Sequence, residues 1–184
     1  MTQLLEPPKE GKLEFALSDF EWLSEQGFFG NQHVELLNGE IFVKGQQGFR
    51  HAQAIRGLNE QFVLGLQAYA SSQCPMVLIN PPPDFVEPDL ALLHLPKEQY
   101  GQRDVNSTDA YLVIEISDST LKAEKLEAYA RNLVPEYWIY NLNANWLEVY
   151  RSPNGKTYAE VQKYSVGQMV APLEFPDCAV QWWV

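Results

Sequence analysis

One segment limits the possible folds more than any other: Tyr111-Leu-Val-Ile-Glu-Ile-Ser117. It reads as a strand that is apolar on both faces, and such a strand has to be covered on both faces. It therefore lies centrally in a sheet, with further layers on either side. Helical and extended patterns interleave around it, so the chain is an α/β or α+β layered domain.

Ser18-Asp19-Phe20-Glu21 has the form of a capping box with Ser18 as N-cap, opening a short helix that ends near Gly27 and buries Phe20, Trp22 and Leu23. His33–Leu37, Asn38-Gly39 and Glu40–Lys44 read as a hairpin, because Asn-Gly supplies the two positive-φ residues of a type I′ turn. On its first strand Glu35 and Leu37 share one face, Val34 and Leu36 the other. Ala52, Ile55, Leu58, Phe62, Leu66 and Tyr69 mark one stripe of a long helix that Ser71 and Ser72 end. Three strands are expected at Met76–Ile79, Phe85–His94 and Tyr111–Ser117, with Pro81-Pro82-Pro83 separating the first two. A second helix, Thr120–Asn132, buries Leu121, Leu126, Tyr129 and Leu133 and stops before Pro135. Glu136–Asn141, Asn145–Arg151, Thr157–Tyr164 and Ala179–Val184 follow as strands. From Arg50 to Asn141 the order is α-β-β-β-α-β.

Residues 1–16 read as an N-terminal arm and 17–184 as one domain. No stretch has the apolar length needed to cross a bilayer, and Met1–Lys12 shows no apolar signal region, so a cytoplasmic location is expected. Cys74 and Cys178 are too few and too isolated for a disulfide scaffold or a zinc cluster. Thirteen basic against 24 acidic side chains give a formal charge of −11. That balance repels phosphate backbones at long range and argues against a non-specific grip on nucleic acid. It does not argue against a metal site, which is itself built from carboxylates.

Two carboxylates stand in strands that otherwise require burial: Asp89 in Glu-Pro-Asp-Leu-Ala-Leu-Leu, and Glu115. A buried carboxylate is costly unless paired or metal-bound. On neighbouring strands the two would form an oxygen-lined site for a hard cation such as Mg²⁺; alternatively Glu115 faces a solvated edge or pairs with an arginine. Lys125, or its competitor Lys122, could lean back over the Glu115 strand to orient a water or stabilise a developing oxyanion; each could equally be a solvated helix lysine. Glu35, between Val34 and Leu36, is a better candidate for an outer ligand than Glu40 beside the turn. Arg50 and His51 open the long helix, as a phosphate contact or as a solvated cap. His33 and His94 have no spaced partner, and Cys74 reads as core. Trp138, Trp146, Trp182 and Trp183 make the C-terminal third aromatic, suited to core packing and a homodimer seam, with base stacking as a further option.

Several motifs together resemble one family: Val34-Glu35-Leu36-Leu37-Asn38-Gly39-Glu40, His51, Glu87-Pro88-Asp89-Leu90-Ala91-Leu92-Leu93, Leu112–Leu121, Lys125-Leu126-Glu127-Ala128-Tyr129-Ala130 and Pro135-Glu136-Tyr137-Trp138. They are similar to the Uma family of restriction-endonuclease-like proteins, a branch of the PD-(D/E)XK nuclease superfamily. The resemblance runs from Leu17 to Tyr150 and more weakly beyond. It implies an α/β (α+β) restriction-endonuclease-like core, a central mixed sheet flanked by helices in the order α-β-β-β-α-β, with an N-terminal helix and hairpin and C-terminal strands added. It also implies DNA phosphodiester hydrolysis dependent on Mg²⁺ (or Mn²⁺), by a homodimer. Asp89 and Glu115 match the metal-ligating acidic residues, Glu35 the upstream glutamate, and Lys125 the lysine. Ser117 stands at the strand position where the superfamily motif has that lysine, and the segment before Lys125 is shorter than in relatives. The alternatives are a catalytically silent homodimeric binding module on the same fold, and a hydrolase of small phosphate compounds.

Overall fold

The computed structural model describes residues 11–66, 69–72, 74–117 and 123–181. The first half begins with α1 (Leu17–Glu25), the hairpin β1 (Val34–Leu37) and β2 (Glu40–Val43), and α2 (Phe49–Gly65). Short strands β3 (Tyr69–Ser72), β4 (Met76–Leu78), β5 (Asp84–Val86), β6 (Leu90–Leu93) and β7 (Val105–Asn106) follow, then β8 (Ala110–Ser117). The remainder is α3 (Ala123–Arg131), β9 (Glu136–Asn141), β10 (Trp146–Pro153), β11 (Tyr158–Ser165), β12 (Met169–Val170) and β13 (Val180–Gln181).

Two larger sheets organise these strands. One has the order β11-β10-β9-β8-β6-β3, with β8 and β9 parallel and its other pairs antiparallel. The other has the order β2-β1-β5-β4-β7. As the apolar run demanded, β8 lies inside the larger sheet. Leu112, Ile114 and Ile116 face α2, packing with Leu58, Phe62 and Trp138. Val113 faces the opposite way with Ala91, Leu93 and Tyr137, under Ala128 and Tyr129 of α3 and against Leu37, Met76 and Val86 of the smaller sheet. Phe20 of α1 covers the outer side of that smaller sheet at Val34 and Leu36. The layers are thus α2, large sheet, α3 with the smaller sheet, and α1.

The core order α-β-β-β-α-β is present as α2, β3, β6, β8, α3 and β9. Its membership differs from the sequence reading in two places. Tyr69–Ser72, expected to finish the long helix, is an edge strand paired with β6. Met76–Leu78 pairs instead with β5 and β7 in the smaller sheet. The expected strand Phe85–His94 is two strands in different sheets, broken at Glu87-Pro88-Asp89, where proline has no N–H to give a ladder.

Smaller corrections have local causes. The N-cap of α1 is Ala16, not Ser18, because the Asp19 carboxylate accepts the Ala16 N–H at 2.8 Å. Trp22 is exposed rather than buried, as is Ala52 of α2. Leu133 is exposed too: at φ +55 it forms the left-handed end of α3, with Val134 N–H donating back to Tyr129 O. Leu121, Lys122, Trp182 and Trp183 lie outside the described residues. The Asn38-Gly39 turn is as expected, with φ of +49 and +77. It sets the pairs Leu37↔Glu40 and Glu35↔Phe42.

Candidate active site: a buried chain of alternating charges

Four residues singled out in the sequence, three from β1, β8 and α3 and the fourth, Asp89, just before β6, meet where the two sheets touch. The ladder between β6 and β8 pairs Leu90 with Ile114, so one step further Asp89 stands beside Glu115. Both carboxylates project on the α3 face, by strand alternation with Ala91 and Val113. The hairpin register turns Glu35 toward the same place, and α3 brings Lys125 over it.

Lys125 Nζ donates to Glu35 Oε1 and to Glu115 Oε1, each at 2.8 Å. One turn along the same helix face, the Tyr129 hydroxyl donates to Glu115 Oε1 at 2.9 Å. Glu35 Oε1 also accepts the Glu87 N–H at 2.9 Å. Asp89 Oδ2 accepts the Ile116 N–H at 2.8 Å and bonds His51 Nε2 at 3.0 Å. Gln47 reaches Asp89 Oδ1 at 3.2 Å. Lys44 Nζ lies 3.9 Å from Glu35 Oε1 and 3.8 Å from Asp89 Oδ1, and donates to the Glu87 carbonyl at 2.5 Å. Read in order, Asp89, Lys44, Glu35, Lys125 and Glu115 alternate in sign.

Among the described residues the three carboxylates of this buried cluster face two ammonium groups, with the His51 imidazole beside Asp89. Burial pushes the Glu115 carboxyl up, and the negative charges of Asp89 and Glu35 add to that; against the pull of Lys125 it reaches about 7. Burial works against the Lys125 charge, but the adjoining Glu115 and Glu35 hold it above the ordinary lysine value. Burial also raises the Tyr129 phenol, and the Glu115 charge reinforces it, so Tyr129 stays a hydrogen-bond donor. For His51, burial opposes protonation, yet its hydrogen bond to Asp89 and the Asp89 charge outweigh it and raise its value.

The donor set suits a hard divalent cation. Asp89 and Glu115 are adjacent oxygen donors, and among the described residues no lysine lies between them. Among the described residues no three His, Cys, Asp or Glu side chains gather into a group able to hold a metal. An ion there would fill its remaining positions from backbone carbonyls, solvent and substrate, as magnesium sites commonly do.

Glu40 is outside the cluster and pairs with Lys12. His33 pairs with Glu87, and His94 stacks on Tyr111 with ring centroids 4.0 Å apart. Arg50 donates to the Leu142 carbonyl. Cys74 is buried, which pushes its thiol up and suits a core residue. Trp138 is core, whereas Trp146 is partly exposed beneath the Lys163 ammonium, 4.2 Å from its ring centroid. The sequence reading missed Lys44, Gln47 and Tyr129 as site residues, and placed His51 against phosphate or solvent rather than Asp89. Two signals were available. In a hairpin paired Glu35↔Phe42, Lys44 shares the face of Glu35. Tyr129 is also four residues beyond Lys125 on a helix.

A mixed sheet flanked by helices in this order is a restriction-endonuclease-like fold. The chain belongs to the Uma2 family: the family's sequence model, described as "Putative restriction endonuclease", matches residues 18–181. Among solved structures, it is similar to a crystal structure described as a "putative nuclease belonging to DUF820" from Anabaena variabilis, with a TM-score of 0.67 and 14% identity, over 91% of this chain and 94% of that one. At that identity the likeness is one of fold. No curated protein matches the chain. The described helices include none long and apolar enough to cross a membrane.

Proposed function

We propose that the protein is a divalent-metal-dependent endonuclease that hydrolyses DNA phosphodiester bonds, with Asp89 and Glu115 holding the metal. The observation that carries this reading is the convergence of Asp89, Glu115, Glu35 and Lys125, from four separate segments of the chain, in one buried cluster. When bound, Mg²⁺ or Mn²⁺ polarises the scissile phosphate and lowers the proton affinity of water. The chain's own residues do the rest. Asp89 is oriented by the Ile116 N–H and His51, which fixes the oxygens it presents. Tyr129 and Lys125 orient Glu115 through Oε1. The Lys125 ammonium stabilises negative charge as it develops on the phosphate, and Glu35 holds that ammonium in place. The proposal includes a homodimer joined along the exposed edge strand β11.

Asp89→Ala and Glu115→Ala are each expected to reduce cleavage of plasmid and linear duplex by at least about a hundredfold, since even residues that only orient a metal ligand are worth 10–100-fold. Circular dichroism should show both variants folded. Undiminished cleavage by either removes that residue from the mechanism.

A second reading is a catalytically silent homodimeric binding module. It is favoured by Ser117 at the strand position of the motif lysine and by the Lys125 ammonium already being shared between two carboxylates. On that reading wild-type protein cleaves no duplex and gains no thermal stability from Mg²⁺ or Mn²⁺.

A further inference from the structure

The alternation of charge in the cluster has one gap. Lys44 lies between Asp89 and Glu35, and Lys125 lies between Glu35 and Glu115. Asp89 and Glu115, the two ends of the series, stand beside each other across the β6–β8 ladder, and among the described residues no cation lies between them. Of the places where two carboxylates approach each other, two are already filled by ammonium groups that belong to the chain.

Lys44 is held at its place. Its backbone N–H continues the hairpin ladder, donating to His33 O at 2.8 Å, so the turn register fixes which face it takes. Its ammonium donates to the Glu87 carbonyl at 2.5 Å, and its side chain is 18% exposed. Glu35 Oε1 is already engaged: it accepts both Lys125 and the Glu87 N–H, with Lys44 close by. Charge counting agrees. Among the described residues three carboxylates and two ammonium groups sum to −1, and one divalent ion brings these five groups to +1, before any proton on the His51 imidazole beside Asp89 is counted. A second divalent ion would bring them to +3 in a buried setting, where like charges repel strongly.

We propose that Lys44 is the resident second cation of this site. Its ammonium occupies the position between Glu35 and Asp89 that a second metal would need, so the cluster accepts one divalent ion per chain. This rests on Asp89 and Glu115 being the metal-holding pair. Lys44 is in this sense a positioning residue that sets the metal count and keeps the charge of Glu35 and Asp89 balanced before the ion arrives.

The test counts Mn²⁺ bound to the full chain by electron paramagnetic resonance, using the loss of the free-ion signal, in wild type, Lys44→Met, Lys44→Arg and the Asp89→Ala/Glu115→Ala double variant. One ion is expected in wild type and in Lys44→Arg, two in Lys44→Met and none in the double variant. Lys44→Gln takes the place of Lys44→Met should the latter not fold. Two ions in wild type overturn the inference while leaving the metal-holding pair intact, as does one ion in a folded Lys44→Met. No ion in wild type, or an ion retained by the double variant, removes the metal-holding pair itself and this inference with it.

Discussion

Lys125→Met is expected to destabilise the protein by about 3–5 kcal/mol at pH 8, the usual loss when one partner of a buried ion pair is removed. Methionine fills nearly the same volume, so the loss is electrostatic and no cavity contributes. The lysine side chain is only 8% exposed, and its ammonium is 2.8 Å from two carboxylates that are 4% and 7% exposed. Without it, Glu115 keeps the Tyr129 hydroxyl and Glu35 keeps the Glu87 N–H and the more distant Lys44, which do not balance two buried negative charges. The loss should shrink at pH 5.5, where Glu115 can take up a proton. Urea unfolding at the two pH values measures both effects. A loss below 1 kcal/mol at pH 8, or an equal loss at both pH values, would contradict the buried pairing.

The second large effect is a dependence of stability on pH that disappears with one substitution. In the folded chain the Glu115 carboxyl is raised to about 7 from an ordinary value of 4.5, by burial first and by Asp89 and Glu35 next. The folded state therefore binds this proton more tightly than the unfolded state does. The stabilisation is fully present below pH 4.5 and is lost as pH rises through 7. At 1.36 kcal/mol per unit the wild type should lose about 3 kcal/mol across that window, relative to Glu115→Gln. Glutamine imitates the protonated acid and still accepts the Tyr129 hydroxyl, while Asp84, also raised by burial, is common to both proteins. The comparison is made by urea unfolding in the presence of a chelator. A difference between the two proteins that does not change with pH would mean that Glu115 is ionised throughout.

Most of the candidate site was legible because its carboxylates violate their surroundings. Asp89 and Glu115 are acidic residues in apolar strands, and the Asn38-Gly39 turn fixed the face of Glu35 before any tertiary contact was considered. The remainder depended on contacts between distant segments. Tyr69 follows Phe62 and Leu66 at helical spacing, so nothing local distinguishes the end of a helix from the short edge strand that the β6 ladder imposes. The run from Phe85 to His94 carries its break at Glu87-Pro88-Asp89, but that the two halves join different sheets is visible only in the pairing of Phe85 with Leu36 and of Leu90 with Ile114. In α2 the alanines at 52 and 54 are equivalent by hydropathy; only the sheet beneath selects Ala54. His51 reads as a solvent-facing residue at a helix start until β6 places Asp89 beside it.

The cluster is assembled from positions 35, 44, 89, 115 and 125, and the chain meets its charges in an unequal order. A ribosome delivers all three carboxylates before it delivers Lys125, and α3 packs its Ala128 and Tyr129 against Tyr137 of β9 as well as Val113 of β8. A nascent chain stalled between β8 and α3 therefore carries all three acidic residues without the cation that pairs with two of them. Lys125 joins the cluster only in chains whose synthesis has passed α3. Translation products that end between Ser117 and Ala123 hold the acids of the site without Lys125.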